Sequence, residues 1–420
     1  MRSTLCVIIS LWALFSAGNA PCGETPAGQA DASAFGIVEA SGLRWQHLSS
    51  ANGDLPVPGE SQQQTGALVA DLDKSGVNGF VLSFRQKAPA LLWYRRTKNG
   101  WDRYVIEKEF LTVEAGGAVC DIDSDGYADV VFGADWQGSE VWWWRNPGGT
   151  YDPNVSWERH TIKKSGGHQH HDQAFGDFKG TGKPQLAFWN QGAKKLLLAD
   201  IPSDPRHSDE WQTAEIFGGN AATQSGAYAE GVAASDIDGD GRLDILAGNF
   251  WFKYVEGNTF KAIKFASFGG RVAAAKLVKD SKYAQIVVNS GDGIGPLTWY
   301  DCTGDPQDPA AWRAHVMVEK VTHGHTLQVA DIDGDGNLDI FAAEMAKWHE
   351  KQVQPDLPQA KAWIFFGDGK GNFRKTEFVT GMGFHEGQIA DLNGDGLLDI
   401  LDKPYNWNAP RVDVWLQQRK

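Results

Sequence analysis

One short acidic motif recurs along the chain, and its spacing constrains the fold more than any other feature. The motif reads Asp-x-Asp-x-Asp-Gly-x-x-Asp in its clearest copies, with an apolar stretch on each side. In chain order the copies, including two degenerate ones, begin at Asp71, Asp121, Asp177, Asp236, Lys276, Asp331 and Asp391. They are separated by 50, 56, 59, 40, 55 and 60 residues. The chain is therefore a repeat protein of seven units.

Each unit contains four segments with the pattern of short strands. The acidic turn joins two apolar strands, a third strand is rich in Trp and Tyr, and a fourth has the form Trp-x-x-His/Tyr. Four strands per unit at this period predict an all-β fold, a seven-bladed β-propeller of four-stranded blades over residues 34–420. The seventh unit ends one strand short, and Arg44–Leu48 has the fourth-strand form. We therefore expect this N-terminal strand to close the ring and remove an open sheet edge.

Composition and the chain ends exclude several classes of function. The net charge of -14 argues against a nucleic-acid surface. Residues 1–20 have an Arg, an apolar run and a small-residue end, which predicts a signal peptide, followed by a flexible segment over 21–33. We expect a secreted monomer with no membrane association. The odd set Cys22, Cys120 and Cys302 does not indicate a disulfide framework.

The acidic turns with their flanking strands resemble the FG-GAP/VCBS repeats of integrin-type propellers. The segments WWWRNPGG, WERHTI, HHDQAFGDF and HGHTLQVADIDGDG resemble two groups of enzymes more narrowly. One is the propeller module of aldos-2-ulose dehydratase. The other is the secreted seven-bladed polysaccharide lyases that release unsaturated glucuronate from rhamnosyl-glucuronate ends. This resemblance implies elimination chemistry carried out by histidines at the centre of one propeller face.

The repeat also predicts where chemistry-bearing residues meet. The acidic turns lie on one face of the disc, so the first residues of each innermost strand ring the channel mouth on the other face. The residues six positions before each turn are Thr65, Ala115, His171, Glu230, Gly270, His325 and His385. Their neighbours include His170, His323, Glu114, Tyr228, Glu386 and Arg271. The alternative is that each histidine only caps its own strand.

The ends of the second strands share this face and mix polar groups with Trp, a pattern that suits a sugar ligand. The predicted substrate-binding residues are His170, His323, Glu230, Arg85, Asn190, Asn249, Trp251 and Tyr405. The alternative for the Trp side chains is packing between blades. The polar set predicts an acidic polysaccharide or oligosaccharide as the binding partner.

The chemistry that fits these residues is β-elimination or dehydration, in which a base removes a proton beside a carboxylate or carbonyl. We expect His171 or His325 to be the base, because histidine titrates near neutrality. Arg271 is the candidate cation for the developing charge, and Tyr228 or His385 would protonate the leaving oxygen. A competing hypothesis gives a divalent metal to His171, His325 and His385, with Glu230 as the fourth ligand.

The acidic turns predict a second kind of site. Carboxylates at alternate positions around a tight loop suit Ca²⁺, which takes about 6–8 oxygen ligands. The predicted ligands are Asp121, Asp123, Asp125 and Asp129; Asp236, Asp238, Asp240 and Asp244; Asp331, Asp333, Asp335 and Asp339; and Asp391, Asn393, Asp395 and Asp399. The alternative is that side-chain-to-backbone hydrogen bonds alone hold these turns. In either case the role is structural.

Together these patterns predict a secreted lyase that cleaves a uronate-containing polysaccharide. Two other functions remain open at this stage, a sugar dehydratase acting on a small keto-sugar and a non-catalytic glycan-binding or adhesion propeller. A lectin would tend to repeat its ligand residues from blade to blade. Here the histidines occupy units 3, 6 and 7 only, which favours one unique site.

Overall fold

The computed structural model describes residues 36–218, 229–347 and 355–419. The predicted signal peptide over 1–20, the segment over 21–33, Cys22 and Tyr228 lie outside these ranges. Within them, the structure contains no helix that is long and apolar enough to cross a membrane. Two single-turn 3-10 helices, Ser50–Asn52 and Pro309–Ala311, are the helical elements of the described chain.

The predicted propeller is confirmed: seven antiparallel sheets form a ring of blades. Blades 1 to 3 contain β3 (Gln64–Ala70), β4 (Gly79–Phe84), β5 (Leu91–Thr97) and β6 (Gly100–Glu107); β7 (Ala118–Cys120), β8 (Asp129–Gly133), β9 (Val141–Arg145) and β10 (Glu158–Lys163); and β11 (Gln173–Gly176), β12 (Gln185–Asn190), β13 (Lys195–Asp200) and β14 (Thr213–Phe217). Blades 4 to 6 contain β15 (Val232–Ser235), β16 (Asp244–Ala247), β17 (Phe250–Glu256) and β18 (Thr259–Lys264); β19 (Arg271–Ala275), β20 (Gln285–Asn289), β21 (Gly291–Cys302) and β22 (Trp312–Gly324); and β23 (Thr326–Ala330), β24 (Asp339–Ala343), β25 (Lys361–Gly367) and β26 (Phe373–Thr380). Blade 7 contains β27 (Gln388–Ala390), β28 (Asp399–Asp402) and β29 (Asp413–Gln418), together with β1 (Ile37–Ala40) and β2 (Leu43–Ser49).

Closure of the ring by the N-terminal strand is also borne out by the sheet order of blade 7, which is β1-β2-β29-β28-β27. β2 pairs with β29 over six residues, with Trp45 opposite Gln417. The sequence pattern did not indicate β1, which pairs with β2 as a fifth, outer strand. The blade therefore joins both ends of the propeller through main-chain hydrogen bonds.

Three blades share a stack of a third-strand Trp on a fourth-strand His. Trp143 of the third strand in blade 2 is fully buried, and the ring of His160 from the fourth strand stacks on it at 4.4 Å. The same pair recurs as Trp299 with His315 at 4.1 Å and as Trp415 with His47 at 4.7 Å. The fourth-strand pattern of the sequence thus reflects a repeated Trp–His stack within the blades.

The first strands of the blades contact one another around the axis, from β3 through β7, β11, β15, β19, β23 and β27 back to β3. In each clear unit the acidic turn follows the first strand, so these turns lie at one end of the channel. The residues that precede the first strands therefore meet at the opposite end.

Candidate functional site

Three of the predicted residues meet at the channel mouth, although they come from blades 3, 4 and 6. Glu230 Oε1 lies 3.5 Å from His171 Nε2 and 3.1 Å from His325 Nε2. All three side chains are almost completely buried. One ligand atom from each residue lies within 4.8 Å of the others, so the group could hold a metal ion. We call His171, Glu230 and His325 the central cluster.

The second ring nitrogen of each cluster histidine faces a buried carboxylate. His171 Nδ1 is 2.5 Å from Asp172 Oδ2, and His325 Nδ1 is 3.8 Å from Glu386 Oε1. Asp172 and Glu386 each follow a residue of the predicted ring, and both adopt left-handed backbone, with φ of 51° and 57°. Non-glycine residues rarely adopt this conformation, and such strained positions concentrate at functional sites. The backbone thus aims both carboxylates back at the histidines.

Arg271 begins the inner strand of blade 5, as the sequence predicted, but its guanidinium is already paired with carboxylates. Its guanidinium is bonded to Asp172 and lies 3.0 Å from Glu386 Oε2. The same three residues line a cavity of about 340 Å³ in the central channel, behind the histidines. Arg271 is therefore already neutralised by two carboxylates that support the cluster. This pairing does not favour the predicted role of Arg271 as a free cation for substrate. The sequence could not show the pairing, because the two carboxylates come from neighbouring blades.

The electrostatics of the metal-free cluster favour positive charge. Burial opposes ionisation of His171, but Asp172 and Glu230 outweigh it and raise the pKa of His171 to about 9. Burial also opposes ionisation of His325, but Glu230 and Asp292 outweigh it and hold the pKa of His325 well above its usual value. Both imidazoles are thus protonated near neutrality when no metal is bound. A protonated imidazole cannot accept a proton, so this state does not suit the predicted role of either residue as a free base.

His385 has a different environment from the other two histidines. Its ring stacks on His325 at 4.8 Å and lies tilted against Tyr405, also at 4.8 Å between ring centres. The ammonium of Lys403 lies 2.9 Å from His385 Nδ1. Burial and the charge of Lys403 hold the pKa of His385 well below its usual value. The structure groups His385 with His325 and Glu386 rather than with His171, so the expected three-histidine ligand set is not assembled.

Lys403 was not found from the sequence. It follows β28 in blade 7 and is completely buried. Burial lowers the pKa of Lys403 to about 7 against the attraction of Glu386 and Asp402. A lysine after the second strand of one unit looks like any rim residue in a sequence. Its burial became visible only once the closed ring placed blade 1 against it.

The open side of the cluster is formed by a long hairpin in blade 5. β21 and β22 have 12 and 13 residues, and their extension carries Asp292, whose side chain is two-thirds exposed. Asp292 Oδ1 lies 3.1 Å from His325 Nε2 and 3.3 Å from Lys347 Nζ. Asp292 was not among the residues predicted from the sequence. The signal for it was the insertion around Gly291 in the one unit whose turn begins with Lys276.

His323 lies at this rim and holds the hairpin rather than facing the cluster. Its Nδ1 is 2.7 Å from the carbonyl oxygen of Asp292, and its Nε2 is 2.7 Å from Asp356 Oδ2. Both nitrogens are therefore used by the protein. This arrangement gives His323 a role in positioning Asp292, while its contact with substrate stays a prediction.

Arg85 and Tyr405 lie beside the cluster as predicted. The Arg85 guanidinium is bonded to Glu114 at 2.9 Å and lies 5.5 Å from the centre of the Tyr405 ring. It also lies 5.1 Å from the ring of Trp136, whose side chain is half exposed. Because Tyr405 also contacts the ring of His385, Tyr405 and Trp136 together extend from the cluster to the surface.

Four predicted substrate-binding residues are not available to a ligand. His170, Asn190, Asn249 and Trp251 are completely buried. His170 contacts the carbonyl oxygen of Trp189 and the ammonium of Lys163, Asn190 donates to the carbonyl of Gly166, and Asn249 donates to that of Ala266. Trp251 belongs to a hydrophobic core between blades. Successive side chains of extended backbone point to opposite sides, so His170 points inward where His171 points to the axis.

The acidic turns are held by hydrogen bonds that do not require an ion. The first Asp accepts the N–H of the sixth residue, as in Asp331 with Gly336 at 2.9 Å. The same bond occurs in the degenerate turn, between Asp177 and Gly182. The ninth Asp accepts the N–H of the second residue and one from the third strand, as Asp339 does with Ile332 and Gly367. Turn geometry of this kind follows from Asx-type bonding alone.

Cation binding at these turns has partial structural support. Three sets bring carboxylate oxygens within 4.8 Å of one another: Asp121, Asp123 and Asp129; Asp236, Asp238 and Asp244; and Asp331, Asp333 and Asp339. Basic side chains already occupy two of these turns. Arg145 contacts Asp123 and Asp125, and Lys253 contacts Asp238 and Asp240.

Comparison with known proteins supports the fold. No protein-family model matches the chain. The chain is 27% identical to cartilage acidic protein 1 of Mus musculus over 266 residues, which cover 55% of this chain and 37% of that protein. It therefore spans little more than a third of the length of this curated relative.

Solved structures show the same architecture at low sequence identity. BBS1N in complex with ARL6DN, soaked with mercury, matches with a TM-score of 0.52 and 10% identity, covering 90% of this chain and 98% of that chain. The lead-soaked form gives 0.50 and 11%, covering 92% and 98%. The rhamnogalacturonan lyase YesW gives 0.46 and 12%, covering 90% and 73%. The first two similarities support the propeller fold alone.

Proposed function

We propose that this chain is a carbon–oxygen lyase that cleaves an acidic carbohydrate by β-elimination, with a divalent metal ion held by His171, Glu230 and His325. One observation carries the proposal. The Nε2 atoms of two histidines converge on one carboxylate oxygen, at 3.5 and 3.1 Å, while their Nδ1 atoms face Asp172 and Glu386. Metal-binding histidines characteristically have a carboxylate or carbonyl on the second nitrogen, which fixes the ring and its tautomer.

The distances in the central cluster fit a metal of this kind. Bonds of about 2.0–2.2 Å in tetrahedral geometry place neighbouring ligand atoms roughly 3.4 Å apart, close to both observed separations from Glu230. Imidazole and carboxylate ligands together suit a transition-metal ion such as Zn²⁺ or Mn²⁺ better than Ca²⁺. Three protein ligands would leave a coordination position for substrate, as in catalytic sites.

The surrounding residues match the needs of elimination on a uronate. Such a cation would offset the negative charge that develops on the substrate carboxylate when the adjacent proton leaves. The carboxylate of Asp292, on the open side of the cluster, can accept that proton, because His325 and Lys347 hold its pKa below the usual value despite its partial burial. His385 lies against Tyr405 and can donate to the leaving oxygen. The neutral state of His385 leaves a ring N–H for that purpose.

The aromatic pair beside the cluster supports a sugar as the ligand. The rings of Trp136 and Tyr405 both lie near the Arg85 guanidinium, and sugar sites combine aromatic rings with a few fixed polar groups. Glu114 holds the Arg85 guanidinium, whose N–H groups are donors for sugar hydroxyls. This surface adjoins His385, so a bound chain would extend from the cluster toward solvent.

Activity is tested by incubating the protein with acidic polysaccharides and following the ultraviolet absorbance of an unsaturated uronate. We expect product with the metal-loaded protein, loss after chelation, and recovery on adding Zn²⁺ or Mn²⁺. His171→Ala and His325→Ala should abolish product, whereas His207→Ala, at an exposed position away from the site, should not change it. Activity that persists in both cluster variants would refute the site.

The other functions considered from the sequence give distinct outcomes in the same experiment. A dehydratase would convert a small keto-sugar and leave every uronate polymer intact. A glycan-binding propeller would retain polysaccharide without forming product, and its binding would survive chelation. Either result would replace the lyase assignment.

We also propose a structural role for Ca²⁺ in the acidic turns and an exported location for the protein. The support for calcium is the convergence of carboxylates in three turns and the preference of this ion for clustered oxygens. The support for export is the composition of residues 1–20. Atomic absorption after dialysis against calcium, and N-terminal sequencing of the mature protein, test the two proposals separately.

A further inference from the structure

Lys403 is a completely buried lysine whose ammonium contacts main-chain carbonyls and one imidazole instead of a carboxylate. Its Nζ lies 2.8 Å from the carbonyl oxygen of Gln64, 2.9 Å from that of His385 and 2.9 Å from His385 Nδ1. A fourth contact, to the carbonyl of Thr65, is longer at 3.2 Å. Burying an ammonium costs free energy, so we expect Lys403 to contribute to the function of the site.

The donor count at Lys403 fixes the proton on His385. In its protonated form Lys403 has three N–H donors, and its three shortest contacts include His385 Nδ1. His385 Nδ1 then accepts, and the neutral ring carries its proton on Nε2. In the opposite tautomer, Nδ1–H would donate to the carbonyl of Gln64 at 3.1 Å, and Lys403 would have to move to the longer Thr65 contact.

We propose that Lys403 is a positioning residue that holds His385 as a neutral Nε2–H donor directed at the leaving oxygen of the substrate. When the C–O bond breaks, its electron pair stays on oxygen, which takes the proton from Nε2. Nδ1 then takes a proton from the Lys403 ammonium, which becomes the neutral amine. The ring therefore passes through neither an imidazolium nor an imidazolate state. The catalytic part of this inference rests on the proposed elimination, whereas the tautomer does not.

The chain contains a matched pair that separates this role from a structural one. Lys163 Nζ contacts His170 Nε2 at 3.1 Å and the carbonyls of Ser139 and Gly167. Lys163 is nearly buried and His170 is completely buried. His170 Nδ1 is used by the carbonyl of Trp189, so this pair has no free nitrogen for a ligand. Lys163→Met removes an equivalent buried lysine without touching the cluster.

The first measurement is ¹⁵N–¹H correlation NMR on the full protein with ¹⁵N-labelled histidine, loaded with Zn²⁺. The His385 signals are identified by their loss in His385→Gln. We expect a protonated Nε2 and an unprotonated Nδ1 in the unmodified protein, and a shift toward Nδ1–H in Lys403→Met. A protonated Nδ1 in the unmodified protein would overturn the proposal, whether or not any substrate has been found.

The second measurement is a kinetic cycle on the uronate substrate. We expect Lys403→Met to lower kcat on the order of 100-fold and to leave KM within about threefold, because the contact acts in the transition state. In the His385→Gln background the same change should cost no further activity. An equal loss in that background, or an equal loss in Lys163→Met, would mean that Lys403 supports only the fold. If Lys403→Met does not fold, the NMR measurement on the unmodified protein still tests the proposed tautomer of His385.

Discussion

Asp172→Asn is the substitution that best tests how the central cluster is built. The carboxylate of Asp172 accepts from His171 Nδ1, from the N–H of Gly231 and from Arg271. An amide of the same size can still accept from His171 through its oxygen, but it no longer polarises the ring. Loss of such a partner typically weakens metal affinity by about 10–100-fold, equivalent to about 1.4–2.7 kcal/mol.

The same substitution removes one side of a buried ion pair, so fold damage must be separated from metal affinity. Breaking a buried pair costs about 3–5 kcal/mol of the free energy of unfolding. Arg271→Met breaks the same pair from the other side and leaves two carboxylates without their cation. It should destabilise the protein similarly, yet bind a divalent metal at least as tightly as the unmodified protein, because the site becomes more negative.

The assay is calorimetric titration of the metal-free protein with Zn²⁺, paired with urea unfolding of each variant. Glu386→Gln provides a third comparison, because its carboxylate lies 3.8 Å from His325 Nδ1 and should matter less than Asp172 at 2.5 Å. Unchanged affinity in a folded Asp172→Asn variant would refute the role of that carboxylate. Equal loss in Arg271→Met would show that the ion pairs, rather than the imidazole partner, control binding.

Three further predictions concern the scaffold. Trp45→Ala should lower the free energy of unfolding by about 3–5 kcal/mol, measured by urea denaturation, because Trp45 is fully buried in the strand that closes the ring; a loss below about 1 kcal/mol would contradict closure as a major contribution. Calcium at about 100 times its Kd should stabilise the protein by about 2.7 kcal/mol per occupied turn, and Asp331→Asn should reduce the gain in melting temperature more than Asp236→Asn, because Lys253 already neutralises the latter turn. Burial raises the pKa of the Cys120 thiol to about 12, so at pH 8 a thiol reagent should modify Cys120 only after unfolding. Cys120→Ser identifies the share of the signal that comes from Cys120. Rapid labelling of Cys120 in the folded protein would refute this prediction.

The fold could be predicted because it depends on features that repeat. The acidic turns and the Trp-rich third strands are local patterns, and each recurs often enough to outweigh single exceptions. The one incomplete unit, the seventh, then indicated closure by the N-terminal strand. The convergence of His171, His325 and Glu230 followed from the same register, since equivalent positions on innermost strands meet at the axis. The outer strand β1 has no counterpart in the other blades, so the repeat gave no indication of it.

The details of the site were less accessible, because they depend on contacts between blades. The carboxylates that pair with Arg271 belong to Asp172 in blade 3 and Glu386 in blade 7. The carbonyls around Lys403 belong to blade 1 as well as blade 7. Side-chain direction was a second source of error. Trp251 and Asn249 lie at predicted strand ends, yet both point into the core, because a shift of one residue reverses the side on which a side chain lies.

The site illustrates where function arises in a ring of similar blades. Blades 3 to 7 each place a different charged or titratable group at the equivalent inner position or beside it: His171, Glu230, Arg271, His325 and His385. Because the inner strands converge, residues more than 50 positions apart come within hydrogen-bonding distance without long loops of their own. The acidic turns and outer strands lie away from the channel mouth, so these inner positions can differ without loss of the fold. This division explains why the most repetitive motif in the sequence predicts the scaffold, and why the residues that break the repeat form the site.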